Sequence, residues 1–139
     1  MIMPILERGD IYFLQRVTIP TIRGEEEVIL DKFTLVLQSG RIFLKAKEVD
    51  VVFGTTSPKR MAKNFPTDVI IKKGESDLPR KTKFICSKVY LIPKDHFYGL
   101  TKHCTLSEEI MAKIDKALIE GLCINLEPIR KMLELKYEN

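Results

Sequence analysis

Three consecutive hydroxyl residues, Thr55, Thr56 and Ser57, stand between Gly54 and Pro58, and Lys59, Arg60 and Lys63 follow at once. The flanking glycine and proline let the backbone turn sharply, so the hydroxyls converge beside a group of cations. Hydroxyl donors and cations in one place suit a phosphate, which takes charge-assisted hydrogen bonds from both. Each has a plainer use as well. Hydroxyls at a strand end often bond their own backbone, and three cations can form a solvated face. On the residues alone both readings stand. A nucleophile activated by a neighbouring base is not visible: His96 and His103 lie late in the chain, away from the hydroxyls, and no Ser/His/Asp or Cys/His arrangement is apparent. His103 and Cys104 are adjacent, but no second pair stands at ligand spacing and neighbours on an extended chain point opposite ways, so no metal site is expected.

The elements that must hold these residues read as short strands. Asp10 to Val17, rich in aromatic and β-branched residues after Arg8 Gly9 Asp10, is predicted as a first strand. Thr18 to Asp31, with Pro20, Gly24 and three glutamates, reads as a long excursion between strands. Phe33 to Leu37 and Glu48 to Phe53 are strands of the kind buried in a barrel, joined by a turn at Ser39 Gly40 and an extended piece from Arg41 to Lys47. Asp68 to Lys72 and Lys83 to Ile92 give the fourth and fifth. Five or six short strands, without helices between them long enough for crossovers, exclude a parallel sheet and favour an antiparallel barrel.

From Thr105 the period becomes helical. Ser107 is an N-cap followed by Glu108 and Glu109, Ile110, Ile114, Ala117 and Leu118 recur on one face, and Gly121 is a natural stop. A second short helix begins at Glu127, with Pro128 in its first turn.

The 139 residues suffice for one core, and 45% hydrophobic with 30% charged residues is ordinary globular usage. One domain is expected over 1–139, with 122–139 a helical extension. Lysine and arginine outnumber aspartate and glutamate by 23 to 19, a net charge of +4 concentrated in the middle of the chain, from Lys59 to Lys88. That suits a polyanion only weakly. Three cysteines without Cys-x-x-Cys spacing, and no signal-peptide pattern, lead us to expect a reduced, cytoplasmic setting. No apolar run approaches the roughly 20 residues that span a bilayer.

Taken in order, Arg8 Gly9 Asp10 Ile11 Tyr12, then Lys32 Phe33 Thr34 Leu35 Val36 Leu37, Val51 to Ser57, Phe65 Pro66 Thr67 Asp68 Val69 and the helix Leu106 to Met111 resemble the MazF/PemK toxins over about residues 8 to 122. The order and spacing carry the resemblance more than any single motif. It implies a mainly β fold, an SH3-like antiparallel barrel with C-terminal helices, in a homodimer. It also implies cleavage of single-stranded RNA without a metal or other cofactor, and a small acidic antitoxin as partner. In that reaction the substrate's own 2′-hydroxyl attacks, so the protein supplies proton transfer and cations around the phosphorus rather than a nucleophile.

The family's catalytic arginine and threonine match Lys32 and Thr56, with Ser57 beside the latter. Its Arg-Pro has become Lys32 Phe33 here, replacing a planar fork with a point charge. Arg23 or Arg60 is placed in sequence to compensate, and Lys59, Lys63 and Lys88 are the further candidates for tracking the RNA backbone. An arginine and an aspartate used by one branch of the family on its last strand read Ile85 and Ser87. The related CcdB proteins share the fold and poison gyrase instead, so a non-cleaving barrel that binds nucleic acid or a protein partner is the alternative.

Overall fold

Apolar residues run nearly unbroken through Leu35 to Leu37 and Val49 to Phe53, a pattern that asks for burial on both faces of a sheet. The computed structural model, which describes residues 3–20, 26–29 and 31–138, shows that burial. Ile11, Leu35, Val52 and Phe84 face one cluster, completed by Ile110, Met111, Ile114 and Ala117 of a helix. Tyr12, Val36, Val51 and Phe53 face a second, closed by Ile92 and Phe97. Successive residues alternate between the two clusters, as the period-two geometry of a strand requires.

The strands are β1 (Asp10–Leu14), β2 (Val17–Pro20), β3 (Glu26–Ile29), β4 (Lys32–Val36), β5 (Glu48–Thr55), β6 (Asp68–Ile71), β7 (Thr82–Ile85), β8 (Tyr90–Pro93) and β9 (Cys104–Thr105). Seven of them form one antiparallel sheet in the order β6-β7-β5-β4-β1-β9, with β8 also paired to β5. The helices are α1 (Arg41–Leu44), α2 (Pro58–Met61), α3 (Glu108–Gly121) and α4 (Leu126–Glu138). The mainly antiparallel sheet with C-terminal helices matches the expected class, and the sheet curves into a half-barrel rather than closing.

The Arg8 Gly9 Asp10 opening is structural. Gly9 takes φ +94°, and buried Asp10 accepts hydrogen bonds from the Thr105 hydroxyl at 2.8 Å and the Glu7 amide at 3.2 Å. Arg8 pairs with Asp115 of α3. The turn thereby ties the first strand to the last strand and its helix, which Ser107 caps by accepting from the Ile110 amide at 3.2 Å.

Several expectations are corrected. Lys83 to Ile92 is two strands: the chain turns at Cys86 and Ser87, because eight-residue β5 is long enough for β7 to pair at Gly54 and Thr55 while β8 pairs from Glu48 to Val51. The first strand stops at Leu14, where Arg16 takes φ +55°, and the excursion after it contains the arms of a hairpin, β2 and β3, paired Val17 to Ile29 through Pro20 to Glu26. The piece from Arg41 to Lys47 begins as the short helix α1, closed by the Phe43 amide on the Gly40 carbonyl. By contrast, α3 ends at Gly121 as expected, and the positive φ of +56° comes two residues later, at Cys123. A Cβ on Gly121 would lie 2.8 Å from the Cys86 carbonyl, so glycine lets the helix approach the strand. Leu126, Ile129 and Leu133 of α4 are about half exposed in the single chain.

Candidate functional site

Strand register brings distant residues together at one end of the sheet. Phe33 pairs with Gly54 on one edge of β5 and Phe84 pairs with Gly54 on the other, so the start of β4, the end of β5 and β7 lie side by side. Close approach at the centre requires glycine: a Cβ on Gly54 would come within 2.7 Å of Thr82 Cγ2 and 2.9 Å of the Phe84 ring. Lys32, opening β4, thereby stands beside the hydroxyl cluster. A cleft of about 400 Å³ is lined by Phe13, Asp31, Lys32, Phe33, Thr56, Ser57 and Arg80, among others. A smaller cleft on the other side of Lys32 holds Thr55, Arg60, Lys88 and Tyr90.

The two uses of the hydroxyl cluster divide among its members. Thr55 is buried and its Oγ1 accepts from the Ser57 amide at 3.2 Å, so it bonds the backbone at the strand end. Thr56 and Ser57 are half-buried and line the larger cleft.

Burial and the nearby Arg60 guanidinium hold the Lys32 ammonium below the usual lysine range. Both causes penalise the charged form. Because the folded value lies below the unfolded one, Lys32 opposes folding at neutral pH, and that opposition fades as pH rises through the window between the two. Any activity that needs the Lys32 cation runs the other way: present below the lowered pKa and lost above it. The alkaline limb of a pH–rate profile should therefore move to higher pH in Lys32→Arg, since a guanidinium keeps its charge.

A buried lysine fixes the segment after the hydroxyls. Lys83 of β7 is 3% exposed, and its Nζ donates to the carbonyls of Arg60, the next-to-last residue of α2, and of Lys63, two residues beyond its end. Asp68 of β6 lies 3.4 Å from the same nitrogen and accepts from the Phe65 amide at 3.0 Å. The peptide that carries Arg60 is thus anchored to the sheet from beneath.

Of the residues singled out in the sequence, Lys32, Thr56 and Ser57 meet in the larger cleft, and Arg60 and Lys88 meet Lys32 in the smaller. Lys59 and Lys63 are exposed and line neither. Arg23 lies outside the described residues. Ile85 lines the smaller cleft in place of a charge, and Ser87 is exposed in the turn. His103 is exposed and Cys104 buried, pointing apart as neighbours on an extended chain do. Among the described residues no group of three or more His, Cys, Asp or Glu side chains is placed to hold a metal ion. Sequence reasoning missed Arg80, Asp31 and Phe13 as lining. Arg80 was visible only as one of many central cations, and Phe13 only as part of a strand.

The model of the PemK-like, MazF-like toxins of type II toxin-antitoxin systems matches residues 7–122. The chain belongs to this family. The match includes every described residue of both clefts and ends just before α4. Among solved structures, an endoribonuclease from a mycobacterial species is similar with a TM-score of 0.62 at 19% identity, covering 88% of this chain and 95% of its own. A mycobacterial endoribonuclease in complex with its cognate antitoxin gives 0.60 at 18%, covering 85% and 95%. MazF from Deinococcus radiodurans gives 0.66 at 13%, covering 87% and 99%. At these identities the likeness is one of fold. No curated protein sequence matches the chain.

Proposed function

We propose that this MazF-like chain is the toxin of a toxin-antitoxin pair and cleaves single-stranded RNA at the cleft between β4 and the end of β5. The observation that carries the reading is the convergence of Lys32, Thr56 and Ser57 on one cleft, with Arg60 close enough to depress the Lys32 pKa. Among the described residues the larger cleft sets two cations, Lys32 and Arg80, against the one carboxylate of Asp31, a balance that fits a substrate whose charge is spread over phosphate oxygens. The similar mycobacterial structures, named as endoribonucleases, one with its cognate antitoxin, support the same class of activity.

In this mechanism the ribose 2′-oxygen attacks the adjacent phosphorus and the bond to the 5′-oxygen breaks. The 2′-proton passes to a carboxylate, the departing 5′-oxygen takes a proton from solvent water, and the products are a 2′,3′-cyclic phosphate and a 5′-hydroxyl. Lys32 meets the non-bridging oxygens as charge grows on them, and Thr56 donates a hydrogen bond to the same centre. Asp31, which lines the cleft, is the acceptor for the 2′-proton. No protein nucleophile, metal or organic cofactor is assigned a step.

A groove shared by two copies and an acidic antitoxin laid over it complete the reading. The 16.0 kDa chain should then sediment as a dimer at tens of micromolar. In a gel assay, a labelled single strand should be cut while the same sequence in a duplex is spared, because the 2′-oxygen, phosphorus and 5′-oxygen reach an in-line arrangement only in a chain free to bend. Equal cutting of both, or of neither, would remove the reading. Among the described residues no helix is long and apolar enough to cross a membrane.

A further inference from the structure

Two aromatic rings line the larger cleft and a third packs on one of them, without a role in the reaction just described. Phe13 of β1 and Phe33 of β4 are direct cross-strand partners, their ring centroids 5.0 Å apart and tilted by 60°. The His103 ring adds its edge, 5.4 Å from the Phe33 centroid at 66°. Phe13 remains 39% exposed, whereas Phe33 is half-buried and packs on the core beneath.

The group is held rigidly. His103 is fixed at both ends, its amide donating to the Ile11 carbonyl at 2.7 Å and its Nε2 lying 3.1 Å from the Asp77 carbonyl. Two of the three rings stand on paired strands, so little conformational freedom is left to lose when something stacks on them. Phe13 and Phe33 line the same cleft as Lys32, Thr56, Ser57 and Arg80. Aromatic faces set beside a row of cations and hydroxyls are the combination that holds single-stranded nucleic acid, the rings taking a base and the polar groups the backbone. An apolar protein segment fits this place less well, because it would desolvate Lys32 and Arg80 without supplying anions.

We infer that Phe13, Phe33 and His103 form a stacking platform for one unpaired base of the RNA, next to the phosphate that faces Lys32. The inference rests on the proposed ribonuclease reading and adds to it a subsite for a base. Stacking on such a platform is tolerant of base identity, since every base has a π-face.

The test uses an uncleavable 2′-O-methyl single strand carrying the fluorescent base 2-aminopurine at successive positions, with cleavage of unmodified RNA followed in parallel. Binding should quench the probe at one position. Phe13→Leu with His103→Ala should remove that quenching and weaken binding about tenfold, while Phe13→Trp should retain both. Phe13 and His103 are exposed enough for these changes to leave the fold intact, which circular dichroism checks. Phe33→Tyr keeps the ring and serves as a second control, expected to bind like the parent. Wild-type affinity and quenching in the Leu/Ala variant would overturn the inference, and continued cleavage by that protein would leave the ribonuclease reading standing. A parent protein that neither binds nor cuts RNA would sink both. Loss of self-association in the Leu/Ala variant with RNA binding unchanged would reassign the rings to a protein interface.

Discussion

Lys83→Met is expected to lower the unfolding free energy by about 3–5 kcal/mol, the usual cost of removing one partner from a buried ion pair. The substitution takes a partner from three groups at once. The Asp68 carboxylate, with a side chain 3% exposed, loses its cation, and the carbonyls of Arg60 and Lys63 lose the ammonium donor. Natural domains hold only about 5–15 kcal/mol in reserve, so the variant should denature at a much lower urea concentration. Pairing it with Asp68→Asn should restore part of the loss, because the orphaned charge is then gone. Equal urea midpoints for Lys83→Met and the parent would show that this nitrogen does not anchor the segment.

Thr56→Ala and Lys32→Ala should each slow cleavage of single-stranded RNA by at least about tenfold, roughly 1.4 kcal/mol of transition-state stabilisation. Stability should hardly change, in contrast to Lys83→Met, because neither side chain is a core residue. The loss belongs in the rate rather than in binding, since both groups answer to charge that develops only as the phosphorus is attacked. Lys32→Arg is the informative control. It restores the family's planar fork at the place where Arg60 already adds charge, and activity should hold or rise. Unchanged rates in both alanine variants would place the reaction elsewhere.

The comparison of these two sites shows what the sequence makes legible. The strands around Ile11, Leu35 and Val52 could be read because burial on both sheet faces leaves nearly continuous apolar runs. The resemblance pointed to Lys32, Thr56 and Ser57 as candidates, and strand register explains why residues more than twenty apart share a cleft. The break between β7 and β8 was hidden, because the local pattern there continues across Ser87 and only the length of β5 requires two partners along one edge. Lys83 was hidden for a different reason. A lysine reads as solvated until its acceptors are seen, and here they come from 20 and 23 residues earlier in the chain. Thr55, Thr56 and Ser57 are equivalent by residue type and all line the larger cleft; only burial and the bond from the Ser57 amide set Thr55 apart.

The central claim is that the RNA's own 2′-hydroxyl is the nucleophile, and the chemistry of the cut ends tests it most directly. Purified protein should be incubated with single-stranded RNA in EDTA, and the fragments analysed by mass spectrometry. The expected result is a 2′,3′-cyclic phosphate on each upstream fragment and a 5′-hydroxyl on each downstream one. Intact RNA, or fragments bearing a 5′-phosphate and a 3′-hydroxyl, would contradict it.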